Sequence, residues 1–394
     1  MPEPSAIGRN LKRRREERGL SQEGLAQAAE VSVDVVRKLE QGRRQSARIT
    51  TLTKLANGLD VELAELADKR ERLGADRDGG SVLAVRDVLL SPSLLPGLDA
   101  DDGGEPTPAG ELAQAVARAW AVYWAGDFGE VLAVLPGLIG EARHSHAALG
   151  TPAVEALTCA YDLASSLMTQ IGRTDLGIIA AERAITTAYQ GDDRLLWAVM
   201  HASYSWTLLH QGRHAEAEDV AARMAEQVEP SFRGDDLELS VWGNLLLTTI
   251  APVVAQDRDP SEYLRLAAAG AARLERPVRA YHHAAFSPVT VAMQETYGYS
   301  VLAEPGKALK AARSIGPADL HGISRGAHLM DVAQAHLDSG HLAASRTTLL
   351  EAKQVSGVWF RHQRVARSVA EEIRERERQL TPETRTLVKA LDLD

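Results

Sequence analysis

The sequence predicts an all-α protein with a small helical head and a long helical body, and three observations carry that prediction. Alanine, leucine, glutamate and arginine dominate the 394 residues, aromatics make up only 5%, and no run rich in Val, Ile, Thr and Tyr recurs. Apolar residues in the head sit three and four apart in segments stopped by glycine. From Glu111 onward one theme repeats: a long apolar-periodic helix, a turn, then an alanine-rich helix. With 45% hydrophobic and 25% charged residues the chain has the composition of a folding protein, and its length exceeds that of one ordinary domain.

In the head, residues 7–18 place Ile7 and Leu11 four apart and meet Gly19, which reads as one short helix with a glycine stop. Ser21 caps a second helix starting at Gln22. Ser32 caps a third over residues 33–41, in which Val36 and Leu39 face inward and Val33, Asp34, Arg37 and Lys38 face outward. Gly42 ends that helix beside Arg43 and Arg44, and residues 49–59 and 61–66 supply two more short helices. Five short helices, the second and third joined by a tight turn, make a helix-turn-helix.

Charge follows the same division. The net charge of −10 argues against indiscriminate binding to nucleic acid, but residues 1–55 hold 12 Lys/Arg against 7 Asp/Glu while the other 339 hold 32 against 47. A basic head precedes an acidic body. The single cysteine, Cys159, excludes an intramolecular disulfide and a cysteine-based zinc site, and it fits a reducing cytoplasm. Residues 1–10 lack an apolar signal core, and no stretch approaches the ~18 uncharged apolar residues of a membrane helix, so a cytoplasmic protein without a membrane partner is expected.

Leu11 and Arg15, Gly19-Leu20-Ser21-Gln22 followed by Leu25-Ala26, and Val31-Ser32 followed by Val36, Leu39-Glu40 and Gly42 stand in a familiar register. Over residues 5–67 they resemble the Cro/repressor-like DNA-binding domain, the xenobiotic-response-element family. The resemblance implies a five-helix lambda-repressor-like domain over residues 1–68, with helix 33–41 in the major groove of double-stranded DNA. It implies base-reading positions at Val33, Asp34 and Lys38 with Arg37 nearby, and phosphate contacts at Gln22, Gln41 and Arg43; Ser32 and Arg44 complete the DNA-binding set. Val33 suits a thymine methyl, Asp34 can accept from cytosine, and Lys38 can donate to guanine. The resemblance also implies a partly buried ion pair, Arg15 with Glu40, that ties the first helix to the end of the third. The run Lys12-Arg13-Arg14-Arg15 reads equally as a phosphate patch or as a solvated face beside Glu16 and Glu17.

Residues 68–80 and 99–110 turn to charge and glycine, so residues 69–110 read as a linker. Its apolar segment, 82–98, is expected to form a helix that docks on the body or on a second subunit. Within residues 111–394 the turns are expected at Gly126-Asp127, Gly172-Arg173, Gly212-Arg213, Asp257-Arg258, Gly306-Lys307 and Gly340-His341. In residues 195–228, Trp206, Leu209, Gly212-Arg213-His214 and Ala217 resemble a tetratricopeptide repeat, and residues 153–189 and 326–355 form similar helix pairs. Six turns of one type predict a tetratricopeptide-like α-solenoid with a concave side, closed by a capping helix over residues 360–378.

A helix-turn-helix head on such a body is similar in architecture to the peptide-sensing Rap/Rgg/NprR/PlcR/PrgX group of bacterial regulators. That resemblance implies an effector, peptide or small molecule, on the concave surface, modulating DNA binding. Trp197, His201, Tyr204 and Gln211 share one helix face, Asn244 and Thr248 a second, and His282, Phe286 and Met293 are expected on a third. Asn244, the only asparagine of the body, has the donor and acceptor that clamp a peptide backbone. The same spacing describes core filler at Trp197, Trp206, Trp242 and Phe286.

His144-x-His146 and His282-His283 lack carboxylates or cysteines at ligand spacing, and the chain has no phosphate-binding glycine loop, nucleophile elbow or dinucleotide fingerprint. No metal, no cofactor and no catalysis are therefore expected. The expected function is a sequence-specific DNA-binding transcriptional regulator. It is expected to be a homodimer, because one helix-turn-helix spans only a few base pairs. The alternative is a protein-interaction scaffold or adaptor that holds a partner in the groove of the repeats.

Overall fold

The computed structural model describes residues 6–29, 31–41, 54–55, 58–59, 61, 82–92, 105–231, 234–283 and 285–393. The chain divides into two compact units, Met1–Leu73 and Gly74–Asp394. Both are helical; among the described residues the only β pairing is an isolated antiparallel bridge between Val278 and Phe286.

The first unit opens with α1 (Ala6–Glu17), α2 (Gln22–Ala28) and α3 (Val33–Glu40). Gly19 stops α1 at φ +65, a left-handed conformation that turns its own N–H to Glu16 O (3.0 Å) and the N–H of Leu20 to Arg15 O (3.0 Å). Ser21 Oγ accepts from the N–H of Gly24 (2.9 Å) and Ser32 Oγ from that of Val35 (3.4 Å), so both short helices start where a hydroxyl satisfies an orphan donor. Leu11, Leu25, Ala26, Val36 and Leu39 make one core, which Leu55 and Leu59 complete. Arg43, Arg44 and most of the expected fourth and fifth helices lie outside the described residues.

The second unit is a series of helical hairpins. They are α5/α6 (Ala109–Ala125, Phe128–Leu149), α7/α8 (Val154–Gln170, Thr174–Ala188) and α9/α10 (Arg194–His210, His214–Gln227). Next comes α11 (Asp236–Thr248), prolonged by α12 (Ile250–Val254) and paired with α13 (Ser261–Ala271). Two further hairpins follow, α14/α15 (Pro288–Val301, Pro305–Ala312) and α16/α17 (Gly322–Asp338, Leu342–Val355). The chain ends with α18 (Gly357–Arg361), α19 (Arg364–Arg376) and α20 (Pro382–Ala390). Ahead of the hairpins, α4 (Val82–Leu89) buries Val85 and Leu89, and Arg143 Nη1 of α6 donates to Val88 O at 2.9 Å. α4 packs on α6 and α8 of its own chain. It stops at Leu89 rather than 98 because Ser91-Pro92 follows, and a residue before proline avoids the helical region.

Three expectations need correction. Gly306 lies inside α15; the turn is made by Ala303 at φ +54, because Pro305 sits at the first helical position and fixes the start of α15. His282 and Phe286 are not on a helix with Met293. They lie in the connection between α13 and α14, and the helix begins only at Pro288, capped by Ser287 Oγ on the N–H of Thr290 (3.3 Å). Finally, Asp236–Val254 is long and apolar enough to cross a bilayer, but 72% of it is buried inside the unit, which makes it a core helix.

The solenoid also closes on itself. Ser356 Oγ donates to Gly126 O (2.8 Å), Gly322 backs onto the carbonyl of Trp124, and Gln363 Nε2 donates to Gln170 Oε1 (3.1 Å). The first hairpin therefore meets the sixth. Packed among the first three hairpins, α7 is buried on all its faces from Ala156 to Thr169, including the polar Thr158, Asp162, Ser165 and Thr169.

Candidate nucleic-acid interface and the expected effector residues

The packing of α3 divides its surface. Val36, Leu39 and Glu40 are buried, Val33 is half-buried against the core, and Asp34, Arg37, Lys38 and Gln41 are exposed. Asp34 Oδ2 and Lys38 Nζ lie 2.7 Å apart, with side-chain exposures of 60% and 50%. Such an i,i+4 pair on a solvated face contributes only a few tenths of a kcal/mol, so a base edge or a phosphate can open it.

Beneath that face, Arg15 Nε and Nη2 donate to the two oxygens of Glu40 at 2.7 and 3.1 Å, and Arg15 Nη1 donates to Leu20 O at 2.8 Å. The ion pair is almost closed to water, with side chains 11% and 3% exposed, and the hydrogen bond to Glu40 raises the arginine pKa further. Gln22, expected at a phosphate, instead donates Nε2 to Glu40 Oε2 at 2.7 Å. Its carboxamide joins α2 to the network because Glu40 has a lone pair left once the arginine fork is seated. α1, α2 and α3 are thus locked by one carboxylate. On the outer face of α1, Lys12 and Arg13 lie 3.9 Å from Glu16 and Glu17, and Arg14 lies 2.8 Å from Glu17, a charge lacing that favours the solvated-face reading.

Several of the expected effector residues are engaged by neighbours within the helical unit. Trp197 stacks edge-on with His201 (4.8 Å) and meets Tyr189 (6.1 Å), and burial lowers the His201 pKa. Tyr204, on the same helix, is half-buried. Asn244 donates Nδ2 to Ser240 O (2.9 Å) and Thr248 donates Oγ1 to the backbone carbonyl of Asn244 (2.8 Å), so the two side chains turn back on their own helix. Met293 is half-buried on α14, while His282 stacks on Trp120 of α5. Sequence reasoning missed Trp120, Trp124, Asp162, Ser203, Arg279 and Tyr281, which surround His282 and His283. The available signal was Asp162, the one carboxyl side chain in the buried stretch of α7 from Ala156 to Thr169.

Asp331 of α16 gives this unit a pH dependence. Burial pushes its carboxyl up to about 8, from the 3.8 of a free aspartate. The folded state holds the proton more tightly than the unfolded one, so this contribution is fully present below pH 3.8 and lost progressively as pH rises to about 8. Asp331→Asn should flatten the loss; melting temperature against pH, compared with the parent, measures it.

No curated protein matches the sequence. Among solved structures, BtubC (BKLC) from P. vanneervenii is 12% identical, covering 63% of this chain and 91% of its own, with a TM-score of 0.35. PlcR of Bacillus thuringiensis, in complex with the peptide PapR7 and DNA, is 13% identical over 69% and 96% of the two chains, with a TM-score of 0.30. The apo form of the competence regulator ComR of Streptococcus vestibularis is 15% identical over 86% and 98%, with a TM-score of 0.32. These likenesses are distant. Residues 6–68, in contrast, match the family described as helix-turn-helix domain, in agreement with the capped α2, the tight turn and α3, and this part of the chain is a helix-turn-helix domain.

Proposed function

We propose that the protein is a sequence-specific DNA-binding transcriptional regulator, that it acts as a homodimer in the cytoplasm, and that its helical hairpins sense a peptide or small-molecule effector. The observation that carries the DNA-binding part is α3. It is a serine-capped helix whose exposed side presents Asp34, Arg37, Lys38 and Gln41 while Arg15, Gln22 and Glu40 fix its other side. A rigid helix with one exposed polar face is what groove reading requires, and two copies one helical turn apart on DNA account for a dimer.

The test is fluorescence anisotropy on genomic fragments over a salt series. Affinity should fall steeply with salt, because bound lysines and arginines release counterions. The double substitution Arg37→Ala, Lys38→Ala should weaken specific binding by about tenfold or more and lower the salt slope. A flat salt response, or unchanged affinity in the double variant, would remove α3 from the interface.

A further inference from the structure

Between α13 and α14 the chain does not turn directly. The N–H of Val278 donates to Phe286 O (3.2 Å) and the N–H of Phe286 to Val278 O (2.7 Å), closing a loop at its base. That base is anchored. Phe286 is fully buried, packed so tightly on Gly243 that a Cβ there would lie 2.1 Å from its ring, and Ser240 Oγ donates to Val278 O at 3.0 Å.

The tip, residues 279–283, reaches three other helices. The Arg279 guanidinium lies 4.8 Å over the Trp124 ring, and the His282 ring stacks on Trp120 at 6.2 Å and 15°. Trp124 Nε1 donates to His282 O at 2.8 Å, so α5 grips both a side chain and the backbone of the tip. His283 Nε2 stands 2.8 Å from Asp162 Oδ2 of α7, whose other oxygen accepts from Ser203 Oγ of α9. Tyr281 donates its hydroxyl to Asp193 Oδ2, at the cap of α9, at 2.5 Å.

Two features set this tip apart from ordinary core. Tyr281 and His282 have φ of +44 and +69, successive left-handed conformations in bulky residues, which persist only where the surroundings hold them. Asp162 is wholly buried, and its carboxylate takes the Ser203 hydroxyl on one oxygen and stands 2.8 Å from His283 Nε2 with the other. A buried carboxylate with indoles close by is matched by a group that offers a cation and a flat face together. The tip supplies such groups from a loop whose own backbone pairing is the single Val278–Phe286 bridge at its base, and Arg279 is exposed.

We infer that Trp120, Trp124, Asp162, Ser203 and Asp193 form a binding site for a ligand bearing a guanidinium or imidazole group, and that residues 279–283 occupy it as an internal stand-in. The inference rests on the proposed sensing role of the hairpins and supplies its chemistry. A ligand of that class displaces the tip, while the Val278–Phe286 base stays in place. Because the tip ties α5 to α7 and α9, its release changes how the first three hairpins are held together.

The test uses the full chain and two probes: a blocked heptapeptide of residues 277–283, Pro-Val-Arg-Ala-Tyr-His-His, and agmatine, a small guanidinium cation. Indole fluorescence reports binding beside Trp120 and Trp124. The variant Arg279→Ala, His283→Ala, whose tip no longer offers a cation to Trp124 or an imidazole to Asp162, should bind one of the probes about tenfold tighter than the parent. Adding Asp162→Asn should abolish that gain. Should the double variant not fold, Tyr281→Phe, which frees the tip only from Asp193, should gain about threefold. Heptapeptide alone identifies a peptide segment as the class of occupant, and agmatine alone a small cation. If neither probe binds either variant more tightly than the parent, the site is excluded. DNA affinity is then measured with and without the bound probe. Binding with unchanged DNA affinity would retain the site and discard the sensing role, whereas no binding would discard the site and leave the sensing role standing.

Discussion

Glu40→Ala is expected to unfold the helix-turn-helix unit at temperatures where the helical hairpins stay folded. The carboxylate of Glu40 takes both arms of Arg15 and the amide of Gln22, and its removal leaves the guanidinium, only 11% exposed, with the Leu20 carbonyl and the exposed Glu16 carboxylate 3.7 Å away. Breaking a buried pair by deleting one partner costs about 3–5 kcal/mol, since the surviving charge remains out of water. A domain of this size has on the order of 5 kcal/mol in total. Glu40→Gln keeps a carbonyl oxygen for Arg15 and should lose less. Urea unfolding followed by circular dichroism measures both, and the early transition of Glu40→Ala should coincide with loss of DNA binding. A variant whose midpoint stays within about 0.5 kcal/mol of the parent would show that the three helices are held by their apolar core alone.

How much of this was legible in the sequence follows the range of the interaction. Ser21, Ser32 and Gly19 act on backbone groups within five residues, so their roles could be read from the letters. The Arg15–Glu40 pair spans 25 residues and was accessible only through the family register. The Gln22–Glu40 contact is not legible because a carboxamide on the first turn of α2 can serve a phosphate or a buried carboxylate equally well, and packing brings it to the carboxylate. The connection between α13 and α14 was hidden differently. His282, Phe286 and Met293 have helical spacing, but Pro277 and the Ser287-Pro288 start divide them between loop and helix. The Asn244 side chain is likewise decided locally, its amide donating to the carbonyl one turn earlier. Nothing periodic announces the seam between the first and sixth hairpins, where Ser356 meets a carbonyl 230 residues away.

That seam yields the second large effect. At Gly322 the backbone is left-handed, φ +52, and a Cβ would stand 1.9 Å from the Trp124 carbonyl oxygen and 2.9 Å from its carbon. The obstacle is backbone, so no rotamer change relieves it. The left-handed conformation costs a residue with a Cβ about 1–2 kcal/mol and a forced backbone shift about 1–3 more, so Gly322→Ala should destabilise the hairpins by about 2–5 kcal/mol. Gly340 is the internal control. It has φ +76 but nothing within 4 Å of an added Cβ, so Gly340→Ala bears only the conformational part, about 1–2 kcal/mol. The difference between the two variants, taken from urea midpoints at a common slope, isolates the contact between the first and sixth hairpins. Trp124 should report the same event, because the residue whose carbonyl is pushed away also carries the indole that holds His282, and its fluorescence should shift in Gly322→Ala but not in Gly340→Ala. Equal losses in the two variants, with unchanged fluorescence, would mean that the hairpins form an open array in solution, and the tip of residues 279–283 would then lose the α5 wall against which it packs.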